Sequence, residues 1–110
     1  MEITTRDSNG IKIVDFEGKL NTSNSPKAQA HLTELTDNGT TKILLNFEKL
    51  DYISSSGLRA VLFTGKKLNR VNGELRLCNL NGTISEIFKM SGFSTMFQVF
   101  ASESQALENF

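Results

Sequence analysis

Apolar residues recur along this chain in two rhythms, every second residue in some stretches and every third or fourth in others. Residues 2–6 and 11–17 are extended and β-rich, and they flank Asp7-Ser8-Asn9-Gly10. Asn-Gly between such flanks predicts a hairpin, because these residues tolerate the positive φ angles of a tight turn. Gly18 is expected to end the second strand, with a polar loop following through Asn24. Ser25 reads as a helix N-cap with Pro26 at the first helical position. Ala28, Leu32 and Leu35 then fall at helical spacing, and Asn38-Gly39 supplies the stop. In residues 42–47, Ile43, Leu44, Leu45 and Phe47 point to both faces, the pattern of a strand covered on both sides. A loop is expected from there through Tyr52.

A second helix is predicted over about 56–71. Leu58, Val61, Leu62, Gly65 and Leu68 fall on one side, and Arg59, Phe63, Lys66, Lys67 and Arg70 on the other. Asn72-Gly73 ends it, and residues 74–77 alternate as a strand. Thr83-Ile84-Ser85-Glu86 reads as a capping box opening a short helix with Ile84, Ile87 and Phe88 inward, stopped by Gly92. Phe97 to Phe100 is expected as a last strand. Ser102-Glu103-Ser104-Gln105 is a second capping box, opening a helix that buries Ala106, Leu107 and Phe110. The order β-β-α-β-α-β-α-β-α predicts the α/β class, with a mixed, mostly parallel sheet and four helices packed on it.

Composition bounds the function. The 110 residues suffice for one domain, expected over 1–110, and 38% apolar with 22% charged residues fits a folded protein. Twelve basic and twelve acidic residues cancel, so no electrostatic footprint for nucleic acid or an anionic membrane is expected. The start, Met1 to Asp7, lacks the apolar region of a signal peptide, and a single cysteine, Cys78, rules out an internal disulfide. A cytoplasmic location is the expectation.

Few residues could carry catalysis. His31 and Cys78 are each the only one of their kind and lie far apart in sequence, so no metal site is expected. His31 reads as a half-buried or surface residue and Cys78 as a small core residue. Gly92-Phe93-Ser94-Thr95-Met96 matches only the first half of a hydrolase elbow, and neither nucleotide-binding glycine motif is present. What remains is Asp51-Tyr52-Ile53-Ser54-Ser55-Ser56-Gly57-Leu58-Arg59, three adjacent hydroxyls where a buried strand hands over to a helix. One serine there can cap the free backbone N–H groups, which typically stabilises by about 1 kcal/mol. Three exceed that need, and a phosphate at a helix start is favoured electrostatically. The residues alone allow a capped helix or a phosphorylation switch. The polar arc around Phe63 is likewise either a solvated face or a docking surface for an acidic partner.

The chain resembles the STAS domain, and within it the small bacterial anti-sigma factor antagonists. Gly18-Lys19-Leu20-Asn21 is similar to the family's Gly-x-Leu-Asp loop, and Ile43 to Phe47 to its central strand. Tyr52-Ile53-Ser54-Ser55-Ser56-Gly57-Leu58 resembles its signature before the second helix. Met90-Ser91-Gly92-Phe93 and Gln105-Ala106-Leu107 match two later pieces, so the resemblance runs nearly end to end. It implies a STAS-like fold and a switch. The serine two places before the signature glycine, here Ser55, would be phosphorylated by an anti-sigma factor with serine kinase activity. The unmodified form would bind that partner and free a sigma factor, and a PP2C-type phosphatase would restore it. Partner contacts are expected at Asn21, Ser54, Ser56, Gly57, Arg59, Phe63, Lys66 and Lys67. ATP belongs to the kinase, so no cofactor and no catalysis are expected of this chain, which would act as a monomer or weak dimer.

Two positions depart from the pattern. Asn21 and Ser54 stand where the antagonists usually carry Asp, which lowers the negative charge near Ser55 and leaves Ser54 and Ser56 as competing acceptors. The alternative is a STAS module with another partner, in which Ser55 only caps.

Overall fold

The computed structural model describes residues 1–93 and 97–110. Its first two strands, β1 (Glu2–Ser8) and β2 (Ile11–Leu20), form the expected hairpin, both running longer than alternation indicates. Only Asn9 and Gly10 make the turn, at φ 49° and 84°, the pair of positive angles that matches strand twist. There follow α1 (Ser25–Asp37), β3 (Lys42–Ile53), α2 (Ser55–Asn69), β4 (Glu74–Cys78), α3 (Gly82–Met90), β5 (Gln98–Phe100) and α4 (Glu103–Leu107). Spatial strand order is β1-β2-β3-β4-β5. The hairpin pair is antiparallel and every other pair parallel, so the sheet is mixed and mostly parallel as expected.

Four local expectations are corrected. Strand β3 does not stop at Phe47, because Leu50 and Ile53 are buried and pair beside Gly18 and Leu20 across two register shifts. Helix α1 is capped at Asn24, not Ser25, and without a side-chain bond to its own first turn. Ser25 is instead buried, its N–H donating to the Asn21 carbonyl at 2.9 Å. In α3 the cap is Asn81, not Thr83: the Asn81 Oδ1 accepts from the Ile84 N–H at 2.8 Å, and its Nδ2 donates to the Leu50 carbonyl at 3.0 Å. Asn81 thereby ties β3 at Leu50 to the start of α3. Helix α2 starts at Ser55, one residue before the expected 56, with Ser54 as its cap. By contrast Ser102 caps α4 as anticipated, its Oγ accepting from the Gln105 N–H at 3.2 Å. Ser94, Thr95 and Met96 of the half-matched elbow lie outside the described residues.

The sheet has two unlike faces. One carries Val14, Phe16, Ile43, Leu45, Phe47 and Leu77, buried beneath Ala28 and Leu32 of α1, Leu58, Val61 and Leu68 of α2, and Ile84 and Phe88 of α3. The other is apolar only over Ile11, Ile13, Leu44 and Cys78, where α4 lays Ala106, with Leu107 and Phe110 half-buried beside it. Arg76 sits on this second face, 6% exposed. Its guanidinium donates to the carbonyls of Ala106, Glu108 and Asn109 at 2.7–2.9 Å and lies over the Phe100 and Phe110 rings. A buried charge needs such partners, and here they are the C-terminal segment together with the Glu74 carboxylate, which accepts from Arg76 Nε at 2.7 Å.

Candidate functional site at the start of the second helix

The serine cluster sits where β3 ends and α2 begins, and the three hydroxyls have different surroundings. Ser54 is 7% exposed. Its N–H donates to the Leu20 carbonyl at 2.8 Å, and its Oγ accepts from the Gly57 N–H at 3.1 Å. One serine therefore supplies the cap and ties the junction to the end of β2. Ser56 is half-buried, and its Oγ accepts from Arg59 Nη2 at 3.3 Å. Ser55 is the exposed member of the three. It occupies the first turn of α2, which contains no acidic residue.

Gly57 makes this geometry possible. A Cβ there would fall 2.8 Å from the Leu20 Cγ and 2.9 Å from the Ile53 Cγ1. Such approaches fall well inside van der Waals contact, so α2 could not start this close to β2 and β3 with a side chain at 57. Ser54 and Gly57 were expected among the partner contacts. Both are buried, and a cap bond at the start of α2 joins them.

Asn21 shapes the neighbouring loop. Its Oδ1 accepts from the N–H groups of Ser23 and Asn24, each at 3.1 Å, and the Asn24 Oδ1 accepts from the Asn21 N–H at 2.8 Å. This reciprocal amide turn leads from β2 into α1, while Leu20 binds the Ser54 backbone. A groove of about 490 Å³ runs from Pro26, Gln29 and Thr33 of α1 to Ser56 and Arg59 of α2. Along the outer side of α2, Phe63 is 44% exposed, and Lys66 and Arg70 are exposed beside it. Lys67 is half-buried, and its Nζ pairs with the Asp37 carboxylate of α1 at 2.6 Å, which links the two helices. His31 is half-buried on α1, its Nε2 lying 2.7 Å from Thr5 Oγ1. Among the described residues no group of three His, Cys, Asp or Glu could hold a metal ion. No described helix is long and apolar enough to cross a membrane.

A second polar region escaped the sequence reading. Beyond the edge of α4, a cleft of about 440 Å³ lies over Arg6, Asp15, Asn46, Asn79 and Glu103. Arg6 donates to both Asp15 oxygens at 2.7 and 2.9 Å and pairs with Glu103, whose Oε1 also accepts from Asn46 Nδ2 at 3.0 Å. The Arg6 hydrogen bond, then the one from Asn46, holds the Glu103 carboxyl below its ordinary value. Period-two alternation puts Arg6 and Asp15 on this face, but nothing local places Glu103 against them. That contact spans 97 positions.

Residues 2–106 match the model of the STAS domain family. BtrV of Bordetella bronchiseptica, named an anti-sigma factor antagonist, is 38% identical over 110 residues, covering 100% of this chain and 95% of that protein. A Thermotoga maritima protein named in the same way superposes with a TM-score of 0.92 at 18% identity, over 96% of this chain and 92% of the other. The phosphorylated form of the Bacillus cell fate determinant SpoIIAA superposes with a TM-score of 0.77 at 25% identity, over 97% of each chain.

Proposed function

This chain belongs to the STAS domain family, and we propose that it is an anti-sigma factor antagonist switched by phosphorylation of Ser55. The unmodified protein binds an anti-sigma factor that is also a serine kinase, and so frees a sigma factor. The kinase transfers the terminal phosphoryl group of ATP to Ser55 Oγ, the bond from that phosphorus to the bridging oxygen breaks with release of ADP, the hydroxyl proton is lost, and the modified protein no longer binds. A PP2C-type phosphatase hydrolyses the phosphate and resets the switch. The site of action is the cytoplasm, and the chain itself performs no catalysis.

The observation that carries this reading is the division of labour among the serines. Ser54 is buried and caps, Ser56 is half-buried against Arg59, and Ser55 alone is exposed. A kinase needs a reachable hydroxyl whose loss leaves the fold intact, and Ser55 has that environment. The name of BtrV supports the antagonist role, and the existence of a phosphorylated SpoIIAA supports the chemistry. A phosphate adds −1.5 to −2 charges at neutral pH. An interface shaped to cover a hydroxyl would have to desolvate that charge at a cost of several kcal/mol. Arg59 follows Ser55 by one turn of α2, Phe63 and Lys66 stand about two and three turns along the same helix, and with the loop turned by Asn21 they form the surface the partner covers.

Incubation with the cell's anti-sigma kinases and ATP, followed by mass spectrometry, tests the assignment. Phosphate on Ser55, abolished in Ser55→Ala, is the expected result. Equal partner binding by Ser55→Asp and Ser55→Ala would instead leave Ser55 as a residue of the helix start only, and favour a module with another partner.

A further inference from the structure

We propose that Arg59 is the internal counter-ion of phosphorylated Ser55, leaving Ser56 and the α1–α2 groove to pair with the phosphate. The inference rests on the reading of Ser55 as the modified residue, and it names how the molecule itself answers the modification.

Three observations on Arg59 carry it. First, its charge is uncommitted. Arg6, Lys12, Lys67 and Arg76 each hold a carboxylate, whereas Arg59 has none within ion-pair distance among the described residues. Second, its present bond is weak: Nη2 reaches the half-buried Ser56 Oγ at 3.3 Å, beyond the usual range for an N–H donor, and Arg59 itself is exposed to solvent. Third, Arg59 follows Ser55 by four residues on one continuous helix. Positions four apart lie on the same face, and an anion preceding a cation by four is the favoured orientation. No carboxylate in the first turn competes for the guanidinium. A phosphate offers three acceptor oxygens to a planar fork of donors, a far better match than a neutral hydroxyl.

Two consequences follow. The phosphate is partly neutralised by its own helix, so the modified state is not strained by its charge. At the same time the guanidinium that now borders the groove beside Pro26 and Gln29 is drawn away from it. Phosphorylation thus alters the docking surface at two points, the new charge at residue 55 and a displaced cation at residue 59.

The test uses full-length protein with phosphoserine inserted at position 55 during translation, so that no kinase is needed. Phosphorus NMR titration at low salt reads the second ionisation of the phosphate, ordinarily near about pH 6. The expected result is a value about half a unit lower in the parent than in Arg59→Gln, the size of an exposed charge pair. Arg59→Lys should recover part of the difference, and about 0.5 M salt should shrink it. The same value in the parent and in Arg59→Gln would overturn the pairing. That outcome would leave the switch itself standing, because loss of partner binding is measured separately on the same phosphorylated protein.

Discussion

At residue 54 a hydroxyl performs structural work, and at residue 55 the same group performs none that the fold requires. Removing the Ser54 Oγ orphans the Gly57 N–H in a buried junction. Ser54→Ala should therefore lower unfolding stability by about 1–2 kcal/mol, while Ser55→Ala should stay within about 0.5 kcal/mol. Urea titrations of the two variants check this contrast, and the reverse order would mean that the cap is assigned to the wrong serine. Gly57 offers a sharper case. Gly57→Val forces atoms onto Leu20 and Ile53, and overpacking of that kind costs about 1–3 kcal/mol. The same denaturant measurement applies, and parent-like stability would show that the junction has room to spare. The distinction between Ser54 and Ser55 was not legible in the sequence, where three identical residues stand in a row. It depends on how far β3 runs, and the polar pair Glu48-Lys49 in its middle disguised that length.

The strand-helix succession was legible because each element carries a period that survives packing. Ile43, Leu45 and Phe47 alternate with Leu44 and Asn46 between the two faces, and α2 shows its apolar stripe openly. What local pattern could not reveal were bonds between remote segments. Asn81 caps α3 because it also reaches Leu50, and Arg76 is buried because the C-terminus wraps over it. Helix α4 is only five residues long, too short to persist without tertiary support. The Arg6–Glu103 pair and the Arg76 bonds supply that support. The carboxyl of Glu103 titrates below its ordinary value of 4.5 because Arg6 binds its charged form. A depressed folded value means that the contribution is complete above 4.5 and drains away as the pH falls through the folded value. Stability curves between about pH 3 and 7 should therefore fall less steeply on the acid side in Glu103→Gln than in the parent. Parallel acid limbs would mean that this ion pair does not hold α4 down.

In the proposed switch the whole molecule is a frame with one surface that phosphorylation recharges. Acidic and basic residues number twelve each, so a phosphate is a large relative change in net charge and a small change in mass. Ser55 projects from a helix start held by backbone and side-chain bonds that do not involve its own hydroxyl. The frame should then be indifferent to the modification, with thermal midpoints of the two forms within about 4 °C. Their affinities should not be alike. The most direct test is isothermal calorimetry of the cognate anti-sigma factor against unmodified protein and against protein carrying phosphoserine at 55, with matched circular dichroism. The account predicts identical spectra and a Kd at least about 100-fold weaker for the phosphorylated form, equivalent to about 2.7 kcal/mol. Equal dissociation constants for the two forms would contradict it.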